Sequence, residues 1–244
     1  MMRILITGAS SGIGLQLARD YLAQGHQVWA CGRDAARLAP LQAQGATLLC
    51  FDGRDAAACH QAAEGVPALD LAILNAGTCE YLDHARAFDG ALFARVIETN
   101  LIATGQVLAA FLPRLVRGGR LALVSSSVTW LPLPRAEAYG ASKAALDYLA
   151  ASLRLDLARE GIAVTLVRPG FVATPLTARN DFPMPGLLTV EQAARRIRHG
   201  LARGQLEVQF PRRLIWPLRL LGALPSGLWL RLCRFLVPIK DSTP

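Results

Sequence analysis

The fold is decided by residues 3–14, which read RILITGASSGIG. Arg3–Thr7 is a short apolar run with the character of a buried strand, and the glycine-rich loop after it opens a helical pattern. Glycines let a backbone approach a diphosphate, and the N–H groups and dipole of a helix N-terminus attract its charge. The turn therefore predicts phosphate binding, although a tight strand-to-helix turn without a ligand is the open alternative. The candidate contacts in it are Gly8, Ser10, Ser11, Gly12, Ile13 and Gly14.

Length and composition favour one globular α/β domain. The 244 residues are 52% hydrophobic and 18% charged, which excludes a disordered chain and allows a substantial core. The five cysteines are scattered without a CxxC pair, as in a protein of the reducing cytosol. The four histidines lack metal-ligand spacing, so we expect no metal site. The N-terminus does not resemble a secretion signal, and we expect a cytoplasmic protein.

Apolar runs alternate with helical patterns along the chain. Strands are predicted at residues 3–7, 27–31, 47–51, 69–74, 120–125 and 163–167. Helices are predicted near residues 12–24, 34–44, 56–64, 88–115 (with an interruption) and 138–160. This order predicts an α/β fold, a Rossmann-type doubly wound parallel sheet with helices on both faces. We assign residues 1–210 to this domain and residues 211–244 to a basic helical tail.

A second group of residues could exchange a proton with a substrate. Tyr139 and Lys143 stand four residues apart in AYGASKAAL, and Ser126 lies thirteen residues before Tyr139 in LVSSS. On a helix the first two share a face, where an ammonium would lower the pKa of the phenol from about 10. Each residue alone has an ordinary alternative: a core tyrosine, a solvated lysine, or a serine that ends a strand.

These motifs, in their order and approximate spacing, resemble the short-chain dehydrogenase/reductase family. The resemblance covers residues 2–177 and rests on the glycine loop, Asn75, Ala76, Gly77, Asn100, Ser126, Tyr139, Lys143, Pro169, Gly170 and Thr174. It implies an oxidoreductase that interconverts a ketone or aldehyde and an alcohol with a nicotinamide dinucleotide. The sequence departs from the common family pattern at Leu74, where many members have a further asparagine before Asn75.

The resemblance also implies a role for each catalytic residue. Tyr139 would exchange the proton with the substrate oxygen, while Ser126, preferred over its two serine neighbours by the family spacing alone, would hydrogen-bond that oxygen. Lys143 would bind the nicotinamide ribose and tune Tyr139. Asn100 would hold a water in a proton relay to Lys143.

The remaining cofactor contacts are implied in the same way. Pro169, Gly170, Val172 and Thr174 would hold the nicotinamide end, and the asparagine–alanine–glycine turn would line the middle of the cofactor. The alternative for Asn75, Ala76 and Gly77 is an ordinary β-turn without a ligand.

The choice of cofactor depends on the end of the second strand. Gly32 has no side chain to bind a ribose 2′-hydroxyl, whereas the next residue, Arg33, offers a guanidinium for a 2′-phosphate. NADP(H) is therefore preferred and NAD(H) stays open, because Arg33 could instead pair with Asp34, which we expect to cap the next helix. By resemblance Asp52 contacts the adenine; otherwise it is a turn residue.

The charge of the chain is concentrated near its C-terminus. The net charge is +8, and residues 208–240 supply six of these charges without any Asp or Glu. This pattern predicts no nucleic-acid partner. Two prolines and a length below about 20 apolar residues exclude a spanning helix in this tail. Two short amphipathic helices are expected, which either lie on the inner face of a membrane or pack on the protein.

The sequence is compatible with several functional classes. It favours an enzyme with a small-molecule carbonyl or alcohol substrate of lipophilic character. The alternatives are a nucleotide-sensing regulatory protein without turnover and a membrane-recruited scaffold. By family resemblance the helix that carries Tyr139 would form a homodimer or homotetramer. Two prolines and a glycine in residues 179–188 disfavour regular structure, so this segment is expected to form a mobile lid over a pocket.

Overall fold

Seven parallel strands form one sheet in the order β3-β2-β1-β4-β5-β6-β7 in this computed structural model, which describes residues 1–236. The strands are β1 Arg3–Thr7, β2 Gln27–Gly32, β3 Thr47–Cys50, β4 Leu69–Leu74, β5 Leu115–Val124, β6 Ala163–Pro169 and β7 Glu207–Phe210. The direction of strand order reverses between β1 and β4, so a crevice opens beyond their carboxyl ends. The predicted Rossmann-type fold is confirmed.

Helices cover both faces of the sheet. They are α1 Gly12–Ala23, α2 Ala35–Gln42, α3 Ala56–Glu64, α4 Gly90–Ile97, α5 Ala103–Phe111, α6 Glu137–Arg159, α7 Val190–Ala202, α8 Arg212–Gly222 and α9 Ser226–Leu236. Ile4 and Ile6 of β1 pack in the core beneath α1 and α7, whereas Leu5 between them packs in the core beneath α3, α5 and α6. Strands buried on both faces explain the continuous apolar runs of the sequence.

The predicted interruption of the helix at residues 88–115 is a single π turn. Residues Glu98–Ile102 join α4 to α5 with this wider turn, so the two helices are continuous. By length and composition the helical run Gly90–Arg114 could cross a membrane, but 44% of its most apolar window is buried inside the protein. Such burial is typical of a core helix.

Two elements were not predicted, and one predicted break is wrong. Strand β7 buries only Val208 and Phe210, so its apolar signal is short. Helix α7 was missed although Thr189 caps it and Ile197 and Leu201 stand four residues apart on its buried face. In the tail, α8 continues through Pro217, which was expected to break it. Pro217 is exposed, so water can satisfy the carbonyl that loses its helical partner. Lys240 and the rest of the predicted tail after residue 236 lie outside the described residues.

Candidate active site

The glycine turn is closed by a contact that only glycine allows. A side chain on Gly14 would stand 2.3 Å from the carbonyl oxygen of Gly8 and 2.6 Å from Asn75 Nδ2. Asn75 Nδ2 donates to the Thr7 carbonyl oxygen at 3.1 Å, and the Asn75 and Ala76 amides both donate to Thr7 Oγ1 at 3.0 Å. These bonds tie β4 to β1, so Leu74 in place of the usual asparagine leaves the turn intact.

A long cleft of about 460 Å³ runs along the carboxyl ends of the strands. The predicted cofactor residues that line it are Gly8, Ser10, Ser11, Gly12, Ile13, Arg33, Asp52, Asn75, Ala76, Gly77 and Thr174. Gly14 lies beneath the turn rather than in the wall. The cleft therefore brings together loops that are far apart in the sequence, in the place where the fold predicts a dinucleotide.

One end of this cleft is strongly basic. Arg33 lines this end together with Arg37 and Arg54. Arg37 and Arg54 were not predicted as site residues, although each lies a few residues after the end of a strand. Within the described part of the chain no ion pair joins Arg33 to Asp34, because the Asp34 carboxylate accepts from the Arg37 amide at 3.2 Å and caps α2 as predicted. The guanidinium of Arg33 thus lines the cleft near the Asp52 carboxylate, whose pKa it helps to lower.

Asp52 is held by its neighbour at the same end. Its carboxylate accepts from the Arg54 side chain, with the shortest contact at 2.6 Å, and from the Arg54 backbone amide at 3.0 Å. The hydrogen bond from the Arg54 guanidinium is the main cause that lowers the pKa of Asp52 to about 2. Asp52 is therefore both a turn residue and part of the cleft wall, and its contact with adenine stays a prediction.

A second cavity of about 110 Å³ adjoins the cleft. Ser126, Tyr139 and Lys143 line it, and the predicted nicotinamide residues Pro169, Gly170, Val172 and Thr174 do so as well. Ile13, Asn75, Gly77, Thr78 and Thr174 belong to the walls of both cavities. The predicted catalytic residues and the glycine turn consequently share one crevice.

Tyr139 and Lys143 lie on the same face of α6, as their spacing predicts. The Lys143 ammonium nitrogen is 5.8 Å from the centre of the Tyr139 ring, and it donates to the Val124 carbonyl oxygen at 3.0 Å. The prediction that the pKa of Tyr139 is lowered is wrong for the protein without cofactor. Burial raises this pKa, and the nearby Cys79 raises it further. A hydrogen bond with Ser126 lowers it, but by less. The phenol therefore stays protonated.

Replacement of Lys143 by Met should change how stability depends on pH. Burial lowers the pKa of Lys143 from its ordinary 10.5 to about 8, so between these values the unfolded chain binds more protons than the folded chain. Between pH 8 and 10.5 the free energy of unfolding of the wild type should therefore rise by about 3 kcal/mol relative to that of Lys143→Met. Below pH 8 the difference between the two proteins should not depend on pH. Denaturant unfolding across this range measures it; a difference independent of pH would contradict the buried ammonium.

Ser126 is distinguished from its neighbours by the structure. Its hydroxyl faces Tyr139 and accepts from the Val128 amide at 3.2 Å, at the start of the 3₁₀ turn Ser127–Trp130. Ser125 also lines the catalytic cavity, but its hydroxyl donates to the Lys143 carbonyl oxygen at 3.2 Å, and Ser127 is buried outside the cavity wall. The local geometry therefore supports the serine that the family spacing indicated.

Asn100 is fully buried in the π turn between α4 and α5. Its amide nitrogen donates to the Thr78 carbonyl oxygen and the Ser142 hydroxyl, both at 2.9 Å, and its amide oxygen accepts from the Thr78 backbone at 2.7 Å. A methyl group on Gly77 would lie 3.1 Å from this oxygen and 3.3 Å from Lys143 Nζ. Asn100 therefore braces the loop beside Lys143, while its role in a water relay stays a prediction.

The segment expected to form a lid is joined to the loop after β4. Tyr81 donates its hydroxyl to Asn180 Oδ1 at 2.9 Å, and Arg135 pairs with both Asp83 and Asp181, at 2.7 and 2.8 Å. The sequence offered no signal for these contacts, because a loop-to-loop pairing leaves no periodic pattern. They hold the segment expected to form a lid against the loop after β4.

The crevice unites a diphosphate-binding turn with a serine, tyrosine and lysine set, which defines the class of a dinucleotide-dependent oxidoreductase. A family model described as short chain dehydrogenase matches residues 2–182. The chain belongs to this short-chain dehydrogenase/reductase family, whose members use NAD(H) or NADP(H) as the hydride carrier.

Three proteins illustrate this membership. An oxidoreductase of Myxococcus xanthus (strain DK1622) is 37% identical over 237 residues, which cover 92% of this chain and 93% of the relative. A Haemophilus influenzae protein named "Probable NADP-dependent dehydrogenase" is 33% identical over 175 residues, 68% of this chain and 69% of the relative. The crystal structure of a short-chain oxidoreductase from Thermus thermophilus matches with a TM-score of 0.74 at 33% identity, covering 82% of this chain and 96% of that one.

Proposed function

We propose that this oxidoreductase uses NADP(H) to interconvert a ketone or aldehyde and an alcohol, with Tyr139 as the general acid and base. The observation that carries the proposal is the shared wall between the two cavities. A nucleotide held against the glycine turn would extend past Asn75, Gly77 and Thr174 to Tyr139 and Lys143. The glycine turn itself fits a diphosphate, because a side chain on Gly14 would overlap the Gly8 carbonyl oxygen.

The chemistry follows from the positions of the side chains. The bound cofactor supplies or accepts the hydride, and the protein moves the matching proton. Tyr139, kept protonated by burial, donates from its hydroxyl to the carbonyl oxygen during reduction. The Ser126 hydroxyl donates a second hydrogen bond to the same oxygen, and the Lys143 ammonium holds the nicotinamide ribose and balances charge as the phenolate forms.

Apolar side chains around the reacting groups support a lipophilic substrate. Val124, Val172 and Leu176 line the catalytic cavity, and Leu214 of α8 lies directly behind Gly170 in its wall. A matched series of ketones of increasing chain length, assayed with NADPH, tests this inference. We expect kcat/KM to rise with chain length, because each buried methylene adds about 0.8 kcal/mol.

Turnover separates the enzyme from its two alternatives. A panel of ketones, aldehydes and alcohols is assayed by cofactor absorbance, and nucleotide binding is followed in parallel by cofactor fluorescence. An enzyme turns over at least one pair and loses that activity on Tyr139→Phe. Nucleotide binding without turnover would favour the regulatory sensor, and absence of nucleotide binding would favour the scaffold.

Arg33→Ala should weaken NADPH much more than NADH. The Arg33 guanidinium lines the basic end of the cleft, where the nearby Asp52 carboxylate is already paired with Arg54, and it can bind a 2′-phosphate bidentately. We expect the KM for NADPH to rise about tenfold to a hundredfold, the energy of one or two charged hydrogen bonds, while the KM for NADH changes little. Steady-state kinetics with both cofactors measures the ratio; equal losses would contradict a 2′-phosphate contact.

Assembly and location complete the proposal. Helix α6 exposes Tyr148 by 80% and Leu155 by 75%, seven residues apart on one face, which supports a homodimer or homotetramer through this helix. Light scattering after size-exclusion chromatography tests the oligomeric state.

We further propose a catalytic domain at residues 1–210 and a separate tail at residues 211–244. We also propose that the protein is cytoplasmic and that its tail reaches the inner face of a membrane.

A further inference from the structure

We infer that the exposed face of α8 and α9 is a docking surface for an anionic phospholipid bilayer, placed one helix away from the wall of the catalytic cavity. This inference rests on the membrane contact proposed above for the tail and is independent of the redox function, because the surface lies on elements that follow the matched family region. It is carried by an outward apolar stripe, a charge pattern of one sign, and the way the inner face of the tail is fixed beside the cavity.

The tail helix α8 is apolar on two faces. Ile215 is buried against the domain, as a single core-facing stripe requires. On the outward side, however, Trp216 is 59% exposed and Leu220 is 68% exposed, four residues apart on one face. Pro217 joins them on that side. Packing on its own domain requires only one apolar face of a helix, so it does not account for this second apolar stripe.

Helix α9 adds two exposed leucines. Leu228 is 45% exposed and Leu230 is 57% exposed, and they lie on the two sides of Trp229, whose indole nitrogen donates to the Pro132 carbonyl oxygen. Both helices thus present large apolar side chains to solvent within one short segment, and isolated surface leucines do not cluster in this way. Tryptophan and leucine on the apolar side of a short amphipathic helix are typical of helices that lie in the membrane interface.

The charge that surrounds the stripe has one sign. Arg212, Arg213, Arg231 and Arg234 are exposed on α8 and α9, and neither helix contains Asp or Glu. A second copy of the chain would bring the same positive charges together, which opposes self-association through this face. Anionic lipid headgroups complement it, since each arginine near such a surface adds about 1 kcal/mol of attraction.

The inner face of the tail is attached to the turn that follows Ser126. The Arg219 guanidinium stacks 4.5 Å from the centre of the Trp130 ring, and Trp229 Nε1 donates to the Pro132 carbonyl oxygen at 3.0 Å. Leu214 lies behind Gly170, where a methyl group would approach it to 2.7 Å. Only the thickness of one helix, about 10 Å, therefore separates the docking surface from the wall of the catalytic cavity.

Two double variants of the full-length chain test the surface. Arg213→Glu with Leu220→Glu alters the proposed docking face. Arg203→Glu with Leu206→Glu makes the same changes before the amino end of β7, whose carboxyl end leads into α8, and Leu206 is 55% exposed there. Binding is measured by sedimentation with vesicles of phosphatidylcholine alone or with phosphatidylglycerol, at low and high salt. Turnover of a water-soluble carbonyl checks that each variant is folded.

We expect the wild type and the Arg203/Leu206 control to bind the phosphatidylglycerol vesicles, and the Arg213/Leu220 variant to bind at least about tenfold more weakly. High salt should weaken the wild type as well. Equal binding by both variants, no binding by the wild type, or equal binding to phosphatidylcholine alone would overturn the inference. Dimer loss confined to the Arg213/Leu220 variant would assign the face to a second copy instead. Unchanged turnover in any of these cases leaves the proposed redox function standing.

Discussion

Tyr139→Phe should lower kcat for carbonyl reduction by about a thousandfold while NADPH still binds with nearly unchanged affinity. General acid catalysis by a positioned side chain contributes about 10²–10⁴ to a rate, and this variant removes the only proton that the phenol ring can donate. Phenylalanine keeps the ring and its packing, so the free energy of unfolding should change by less than about 1 kcal/mol.

The geometry supports Tyr139 as the proposed proton donor of the cavity. Its ring lies 5.8 Å from the Lys143 ammonium nitrogen, and burial with the nearby Cys79 keeps its pKa above the ordinary value. Lys143 already donates to the Val124 carbonyl oxygen, and its removal from α6 would leave that oxygen without this bond. The hydroxyl of Tyr139 is therefore the group whose loss affects the chemical step most directly.

Tyr148→Phe is the matched control for this prediction. Tyr148 lies on the same helix but is 80% exposed, far from the catalytic cavity, so its variant should keep full activity. Stopped-flow reduction with saturating NADPH isolates the chemical step, and nucleotide fluorescence reports the affinity. Retention of more than a tenth of kcat by Tyr139→Phe, or equal losses in the two variants, would remove Tyr139 from the reaction.

The fold was readable from the sequence wherever strands are buried on both faces. Strands β1 and β4 were predicted to their end residues, because continuous apolar runs bounded by turn residues leave little choice of period. Strand β7 was missed because it buries only Val208 and Phe210, and so short an edge strand gives a weak apolar signal. Helix α7 was missed although Ile197 and Leu201 have helical spacing on its buried face, because its three arginines make the segment polar on average.

The sequence predicted which residues form the site, but not the pKa of Tyr139 within it. Local spacing placed Tyr139 and Lys143 on one face, and the common edge of a parallel sheet brought Ser126 and the glycine turn to them. The direction of the Tyr139 pKa was wrong because burial depends on distant elements that no local spacing describes. The contact of Arg219 with Trp130 was hidden for the same reason, as it joins residues 89 positions apart.

Ser126→Ala should lower kcat by about a hundredfold or more, with little change in NADPH affinity. The loss of one hydrogen-bond donor to an oxygen that gains charge in the transition state costs about 10²–10³ in rate. The Ser126 hydroxyl faces Tyr139 across the catalytic cavity, so both groups can reach one substrate oxygen. Because the lost bond is strongest in the transition state, kcat should fall more than KM rises.

The neighbouring serine gives the sharpest control, because its removal acts on a different atom. Ser125 donates to the Lys143 carbonyl oxygen, so Ser125→Ala should lower the free energy of unfolding by about 1 kcal/mol and leave kcat within a fewfold of the wild type. Steady-state kinetics and denaturant unfolding of both variants separate the two effects. If Ser125→Ala lost the activity and Ser126→Ala kept it, the substrate oxygen would lie on the other side of the turn. A loss confined to Ser126→Ala would instead fix that oxygen between Ser126 and Tyr139, where α6 and the end of β5 meet.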